Sequence, residues 1–236
     1  MSTRTIGRIV GALFLLAFVV YMGGGAMVGA GSSATDVLND QTLVSAGALL
    51  MLVNSAVVVG IGVLALPVLK PHSEISAYAY LAGRTVEAVM LAVGVVFLLL
   101  LGPLAQEHAA AGNASVLAAL GRVAQEGNHY SYQLAMISVG VVGLLFCRVL
   151  WRARLVPRFM AAWGLAGYAV FLAGAILEVL GYGVGVALSV PGGLFEVGLG
   201  VLLILRGFPT GQSRDRDEPA TGSSPTATAP LGAPSA

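Results

Sequence analysis

The sequence predicts an all-helical integral membrane protein: a bundle of six transmembrane helices with both termini in the cytoplasm and a disordered C-terminal tail. Hydrophobic residues make up 57% of the 236 residues, and charged residues make up only 10%. Soluble domains usually contain about 25% charged residues. A charged fraction of 10% is too small to cover the surface of a soluble fold. The composition therefore excludes a soluble enzyme. The formal net charge of +1 excludes a nucleic-acid binder, which needs a basic surface.

Six segments are long and apolar enough to cross a bilayer, which takes about 20 mostly apolar residues in a helix. Barrel strands would be shorter and would alternate polar with apolar residues, which these segments do not do. Arg4 and Arg8 before the first apolar run resemble the start of a signal peptide, but the run is long enough to remain as an anchor. The predicted spans cover about 6–27, 43–66, 75–101, 130–150, 159–181 and 185–205, within one membrane domain over residues 1–208.

The distribution of Lys and Arg predicts the orientation of these helices. Ten of the twelve basic residues lie on one side of the predicted spans, in the N-terminal segment, in two connecting turns and after the last span. Cytoplasmic loops carry the excess of basic residues, so this side is predicted to be cytoplasmic. Both termini then lie inside, in agreement with an even number of spans.

Two segments are not predicted to span the membrane. Residues 115–126 place Val116, Leu120 and Val123 on one helical face. This pattern predicts either a helix on the outer membrane surface or an extension of the fourth span. Residues 209–236 are rich in Pro, Ser, Thr, Ala and Gly and have almost no large apolar residue, which predicts a disordered cytoplasmic tail.

Ionisable residues inside the spans point most strongly to function, because each costs about 2.5–3.5 kcal/mol at the bilayer centre on an insertion scale. Arg84 and Glu87 are three residues apart in the third span, so they share a helical face and can pair. Asn54 lies midway along the second span and Glu196 midway along the sixth. At about 1.5 Å per residue the four lie within about two turns of one depth. The sequence therefore predicts a buried polar cluster of these four residues.

Small residues surround Glu196 in the sixth span. Gly192, Gly193 and Gly200 share its helical face, where small residues let a neighbouring helix approach closely. Pro191 precedes these glycines and allows two interpretations. Either the helix is broken there so that backbone groups face a polar cavity, as in discontinuous transporter helices, or a short helix begins at Pro191.

Glu178 and His129 are secondary candidates. Glu178 lies near the outer end of the fifth span, and His129 lies at the outer start of the fourth. The sequence contains no nucleophile elbow, phosphate loop or zinc-binding HExxH motif. Its single cysteine, Cys147, excludes an intramolecular disulfide and a cysteine-rich metal site. We therefore predict no catalytic residue, no cofactor and no metal.

Three functions fit these features. The first is a non-enzymatic protein with a buried polar site, which carries or senses a small solute or protons. The second is a structural or accessory subunit: the cluster clamps its helices together, and glycine-rich faces contact a membrane-protein partner or a second copy of the chain. The third is an intramembrane enzyme that acts on a lipid, for which only Glu178 and His129 lie close to the interface. In each case the bilayer is the main partner.

Six segments of the sequence match the motifs of a known family: Arg8–Leu16, Leu66–Lys70, Tyr80–Ala88 with its Arg-x-x-Glu motif, Leu155–Gly164 with its Leu-Val-Pro-Arg motif, Phe195–Val197 and Arg206–Phe208. Through these segments the chain resembles a bacterial multi-pass membrane family catalogued as domain of unknown function 4386. The resemblance implies a six-helix protein of the bacterial inner membrane and brings no reaction with it. The family's usual tryptophan in the sixth span is absent, and Leu202 and Leu203 occupy that region.

Overall fold

In the computed structural model of the protein, residues 1–29, 40–111 and 114–209 are described. The predicted disordered tail, from residue 210 onward, lies outside the described residues. Across the described residues the chain is helical, without a β-strand. The elements are α1 (Thr3–Gly29), α2 (Gln41–Leu69), α3 (Glu74–Leu99), α4 (Leu101–Ala111), α5 (Ala114–Arg152), α6 (Arg158–Val179), a 3₁₀ turn (Gly185–Ser189) and α7 (Val190–Arg206).

In the described part of the chain, six helices are long and apolar enough to cross a membrane, as the sequence predicts. They are α1, α2, α3 continued by the start of α4, α5, α6, and α7 preceded by the end of the 3₁₀ turn. In the most apolar window of each, between 28% and 56% of the residues are buried inside the protein. The rest of the apolar surface faces outward, where a bilayer can cover it.

Two helix boundaries decide between the alternatives that the sequence leaves open. Residues 115–126 belong to α5, which has 39 residues. At about 1.5 Å per residue it is far longer than a bilayer is thick, so this segment is an extension of the fourth span. The sixth span begins as an α-helix at Val190, with Pro191 in its first turn, where a missing N–H is tolerated. The short-helix interpretation of Pro191 is therefore the one that the structure has.

The spanning helices form a closed ring. α1 packs against α2, α2 against α3, α3 against α5, α5 against α6 and α6 against α7, and α7 returns to α1. Apart from the contact between α1 and α7, neighbouring helices in the ring are therefore consecutive spanning helices of the chain. This arrangement leaves the centre of the ring to be filled by side chains.

Along its axis, the helix ring has two halves. Aromatic side chains fill the interior of the half that contains the start of α1 and the end of α7. The rings of Tyr80 on α3 and Phe146 on α5 are stacked with centroids 4.7 Å apart. Tyr168 on α6 and Phe195 on α7 meet edge to face at 5.6 Å. Phe14 of α1 is buried in the same core. Such pairs stabilise the core beyond the area that they bury, and they close this half of the ring.

Two glycine contacts set the course of α1. Near its start, α1 lies against α7, where a Cβ on Gly11 would be only 2.5 Å from the carbonyl oxygen of Gly200. Near its end, α1 lies against α2, where a Cβ on Gly24 would be 2.7 Å from the carbonyl oxygen of Gly47. Only glycine permits backbones to approach so closely. α1 therefore leans from α7 at one end of the ring toward α2 at the other.

The contact between α1 and α7 predicts a specific sensitivity at Gly11. Gly11→Ala should lower the free energy of unfolding by about 1–3 kcal/mol, because the new methyl group overpacks the contact with Gly200 and Leu203. Gly25→Ala is the matched control in the same helix, since a Cβ there would meet no atom within 4 Å. The midpoint of thermal unfolding in mild detergent measures both effects. Equal midpoints for the two variants would contradict this account of how the ring closes.

Candidate functional site

A cavity of about 530 Å³ lies in the other half of the ring. α1, α2, α3, α5, α6 and α7 all contribute to its wall, which is mostly apolar. Asn54, Arg84, Glu87 and Glu196 line it together. Three helices thus bring the four residues of the predicted polar cluster to one space.

Arg84 and Glu87 form an ion pair on α3. The distance from Arg84 Nη1 to Glu87 Oε2 is 3.0 Å, and the side chains are only 4% and 7% exposed. The three-residue spacing places both on the inner face of the helix, as the sequence predicts. The guanidinium also lies over the rings of Phe14 and Tyr80, with its carbon 5.8 Å and 6.0 Å from their centroids. Since aromatic faces attract cations, these rings partly offset the loss of water around the charge.

Glu196 has a different partner. The hydroxyl of Tyr168 on α6 donates a hydrogen bond of 2.6 Å to Oε1 of Glu196 on α7. The ion pair that the structure shows for Arg84 is with Glu87. Tyr168 was missed, although a hydroxyl in the middle of an apolar span is a polar signal of the same kind as Asn54.

Several buried polar atoms around the cavity have no hydrogen-bond partner among the described residues. They include Asn54 Oδ1, Arg84 Nε and Glu87 Oε2. Glu87 Oε2 is close to Arg84 Nη1, but the two atoms do not meet at a hydrogen-bonding angle. Leaving a buried polar atom unpaired costs about 1–3 kcal/mol. Each of these atoms is fully buried, so water or a ligand in the cavity would reach it only after the side chain turns toward that space.

Aromatic side chains form part of the cavity wall. Tyr21 of α1 and Tyr132 of α5 are stacked, with centroids 5.7 Å apart and an interplanar angle of 22°. Phe18 and Phe171 contribute further rings. The sequence did not indicate this wall, because its members come from α1, α5 and α6 and meet only when the ring closes.

The secondary candidates form a separate pair. His129 Nε2 is 3.6 Å from Glu178 Oε2, and the two side chains are 42% and 11% exposed. Neither residue lines the cavity, so the structure does not bring them to the polar cluster. Among the described residues, no group of three or more His, Cys, Asp or Glu is placed to hold a metal ion.

The ion pair on α3 leads to a prediction about stability. Arg84→Met should destabilise the protein by about 3–5 kcal/mol, because Glu87 would be left buried without its cation. The double variant Arg84→Met/Glu87→Leu should regain most of that loss, since apolar side chains of similar volume then replace the pair. Thermal unfolding of the purified variants in detergent tests this. A double variant no more stable than Arg84→Met would show that Arg84 does not act by neutralising Glu87.

Comparison with known proteins places the chain in a family. A family model described as "Domain of unknown function (DUF4386)" matches residues 9–207, which is most of the chain and all of its spanning helices except the first six residues of α1. No curated protein matches the chain, and no solved structure does. The family is the one that the sequence motifs suggested, and the chain belongs to the DUF4386 family.

Proposed function

We propose that the protein is a non-enzymatic carrier or sensor that binds a small solute in the cavity of its helix ring. The observation that carries this proposal is the convergence of Asn54, Arg84, Glu87 and Glu196 on one cavity, with buried polar atoms that lack protein partners. Ionisable groups at membrane depth are costly and typically mark substrate or ion pathways. A volume of about 530 Å³ is within the range of small-molecule sites.

The four residues have complementary roles in this proposal. Asn54 and Arg84 line the cavity and carry an unpaired carbonyl oxygen and an unpaired N–H group, which a ligand would engage once these side chains turn toward it. Glu196 offers a carboxylate whose Oε1 is oriented by the hydroxyl of Tyr168. Glu87 holds Arg84 in place through the 3.0 Å ion pair. A ligand with one polar or charged group and an apolar body fits a cavity that has these four polar residues in a mostly apolar wall.

One observation favours a second candidate function, that of a structural or accessory subunit. The hydrogen bond from Tyr168 to Glu196 joins α6 to α7 and so acts as a clamp between helices. In that role the outward glycine-rich and apolar faces would contact a membrane-protein partner or a second copy of the chain. Catalysis on a lipid is less favoured, because His129 and Glu178 are paired with each other away from the cavity.

The proposed location is the inner membrane of a bacterium, with both termini in the cytoplasm. The excess of basic residues at the ends of the membrane domain and in the turns after α2 and α5 supports this orientation. It places the aromatic half of the ring toward the cytoplasm and the cavity toward the opposite half of the bilayer.

A carrier or sensor needs a cavity that solutes can reach. In a Cys147→Ser background, Val139→Cys should react with the cationic thiol reagent methanethiosulfonate ethylammonium about 10-fold or more faster than Val142→Cys, because reactivity follows access. The two positions are a matched pair on α5: both valines are buried, but Val139 lines the cavity and Val142 packs on Gly83 of α3. Modification is followed by mass spectrometry of the full-length protein in lipid nanodiscs. Equal, slow rates would contradict the proposed binding function. They would favour the structural role, in which the hydrogen bond from Tyr168 to Glu196 clamps α6 to α7.

The orientation has its own test in intact cells. In the Cys147→Ser background, Tyr182→Cys lies on the proposed outer side and should react with a membrane-impermeant maleimide. Arg152→Cys lies on the proposed inner side and should react only after the cells are broken open. Both native side chains are exposed in the structure, so access within the protein does not limit either reaction. The opposite labelling pattern would reverse the proposed topology.

A further inference from the structure

The cavity reaches the outer surface of the ring between α1 and α7. Among the residues that line it, Met22 is 68% exposed, Val190 is 52% exposed and Leu194 is 55% exposed. All three are apolar and lie where the two helices face each other. At about 1.5 Å per residue, Leu194 is about 18 Å from the end of α7 at Arg206, well within a hydrocarbon core about 30 Å thick. The opening therefore faces lipid.

The opening follows from the course of α1. Its backbone touches α7 at Gly11 and Gly200. Two turns further along, the ring of Phe18 stands between the helices, 3.5 Å from where a Cβ on Gly193 would be. Beyond that level, Gly24 draws α1 against Gly47 of α2. The two helices thus diverge toward the end of the ring where the cavity lies.

The charges inside the cavity are unequal. Among the described residues that line it, Arg84 is opposed by two carboxylates, Glu87 and Glu196. The ion pair joins Arg84 to Glu87, while Glu196 has a neutral hydroxyl as its hydrogen-bond donor. With both carboxylates ionised, the single guanidinium of Arg84 would leave one negative charge in the cavity uncompensated at membrane depth. A cation in the cavity would compensate that charge, and the aromatic side chains of Tyr21, Tyr132 and Phe171 line the same cavity, where an open ring face attracts a cation.

We propose that the ligand of this cavity is a lipophilic monocation, such as an ammonium or phosphonium group on an apolar body. It enters from the bilayer between α1 and α7 and places its charge beside Glu196. The apolar rim at Met22, Val190 and Leu194 admits the apolar body and disfavours hydrated ions. This inference rests on the proposed function, and it adds the chemical class of the ligand and its route of entry.

Two probes of nearly the same shape and opposite charge test the proposal. The full-length protein, in nanodiscs of uncharged phosphatidylcholine, is titrated with tetraphenylphosphonium and separately with tetraphenylborate. Saturable binding of tetraphenylphosphonium, at least tenfold tighter than any saturable binding of tetraphenylborate, is expected. Equal binding of the two ions, or tighter binding of the anion, would overturn the proposal without any substitution in the protein.

The role of Glu196 is tested with a matched pair of glutamates. Glu196→Gln should weaken tetraphenylphosphonium binding about tenfold or more, the equivalent of about 1.4 kcal/mol. Glu178→Gln should leave it unchanged, because Glu178 lies outside the cavity. The thermal midpoint of each variant shows whether it is folded. Unchanged binding in a folded Glu196→Gln protein would overturn the assignment of Glu196.

The route of entry is tested at Gly193. In Gly193→Leu the first carbon of the new side chain makes an ordinary contact with Phe18, and the remainder extends into the gap. Association of tetraphenylphosphonium should slow severalfold, and an unchanged association rate would contradict entry between α1 and α7.

If Val139→Cys reacts quickly but tetraphenylphosphonium does not bind, the ligand class is wrong while the proposed binding function stands. Slow reaction of Val139→Cys contradicts the binding function itself.

Discussion

Closure of the helix ring depends on the backbone contact between α1 and α7 at Gly11 and Gly200. The other neighbours in the ring follow one another along the chain, so they are brought together by their connections. α1 and α7 are the first and last helices of the membrane domain, so no short connection brings them together. Association of helices in lipid relies on close packing, because lipid and side chains are equally apolar. Without this contact the helices would form an open row and the cavity would have no wall on that side.

The same contact accounts for the asymmetry of the ring. Where α1 touches α7, the interior is packed by aromatic rings such as Phe14, Tyr80 and Phe195. Where α1 turns away toward Gly47 of α2, the interior is a cavity that opens between α1 and α7. The polar side chains lie at the boundary between these halves, and the ion pair of Arg84 with Glu87 is held there with little exposure. Packed side chains therefore support these charges on one side, and the open space of the cavity adjoins them on the other.

Much of the polar cluster could be predicted from the sequence, because the cost of placing a charge in lipid makes each such residue conspicuous. The spacing of Arg84 and Glu87 identified their pairing, and counting residues along each span placed Asn54 and Glu196 at a similar depth. Depth does not specify direction around a helix. For that reason the partner of Glu196 was not foreseen: the hydrogen bond from Tyr168 depends on how α6 and α7 are rotated against each other. The stacked pair of Tyr21 and Tyr132 was missed for the same reason.

Hydropathy and length alone specify the six spanning helices, since each helix satisfies its own backbone hydrogen bonds within the bilayer and needs no partner to do so. The family assignment likewise depends on local sequence motifs, which lie almost entirely within the matched residues 9–207. The order of helices around the ring, the lean of α1 and the gap beside Leu194 depend on contacts between residues far apart in the chain. Glycine is frequent throughout the sequence, with 32 residues, and only the packed helices distinguish the contact at Gly11 from the open space at Gly25.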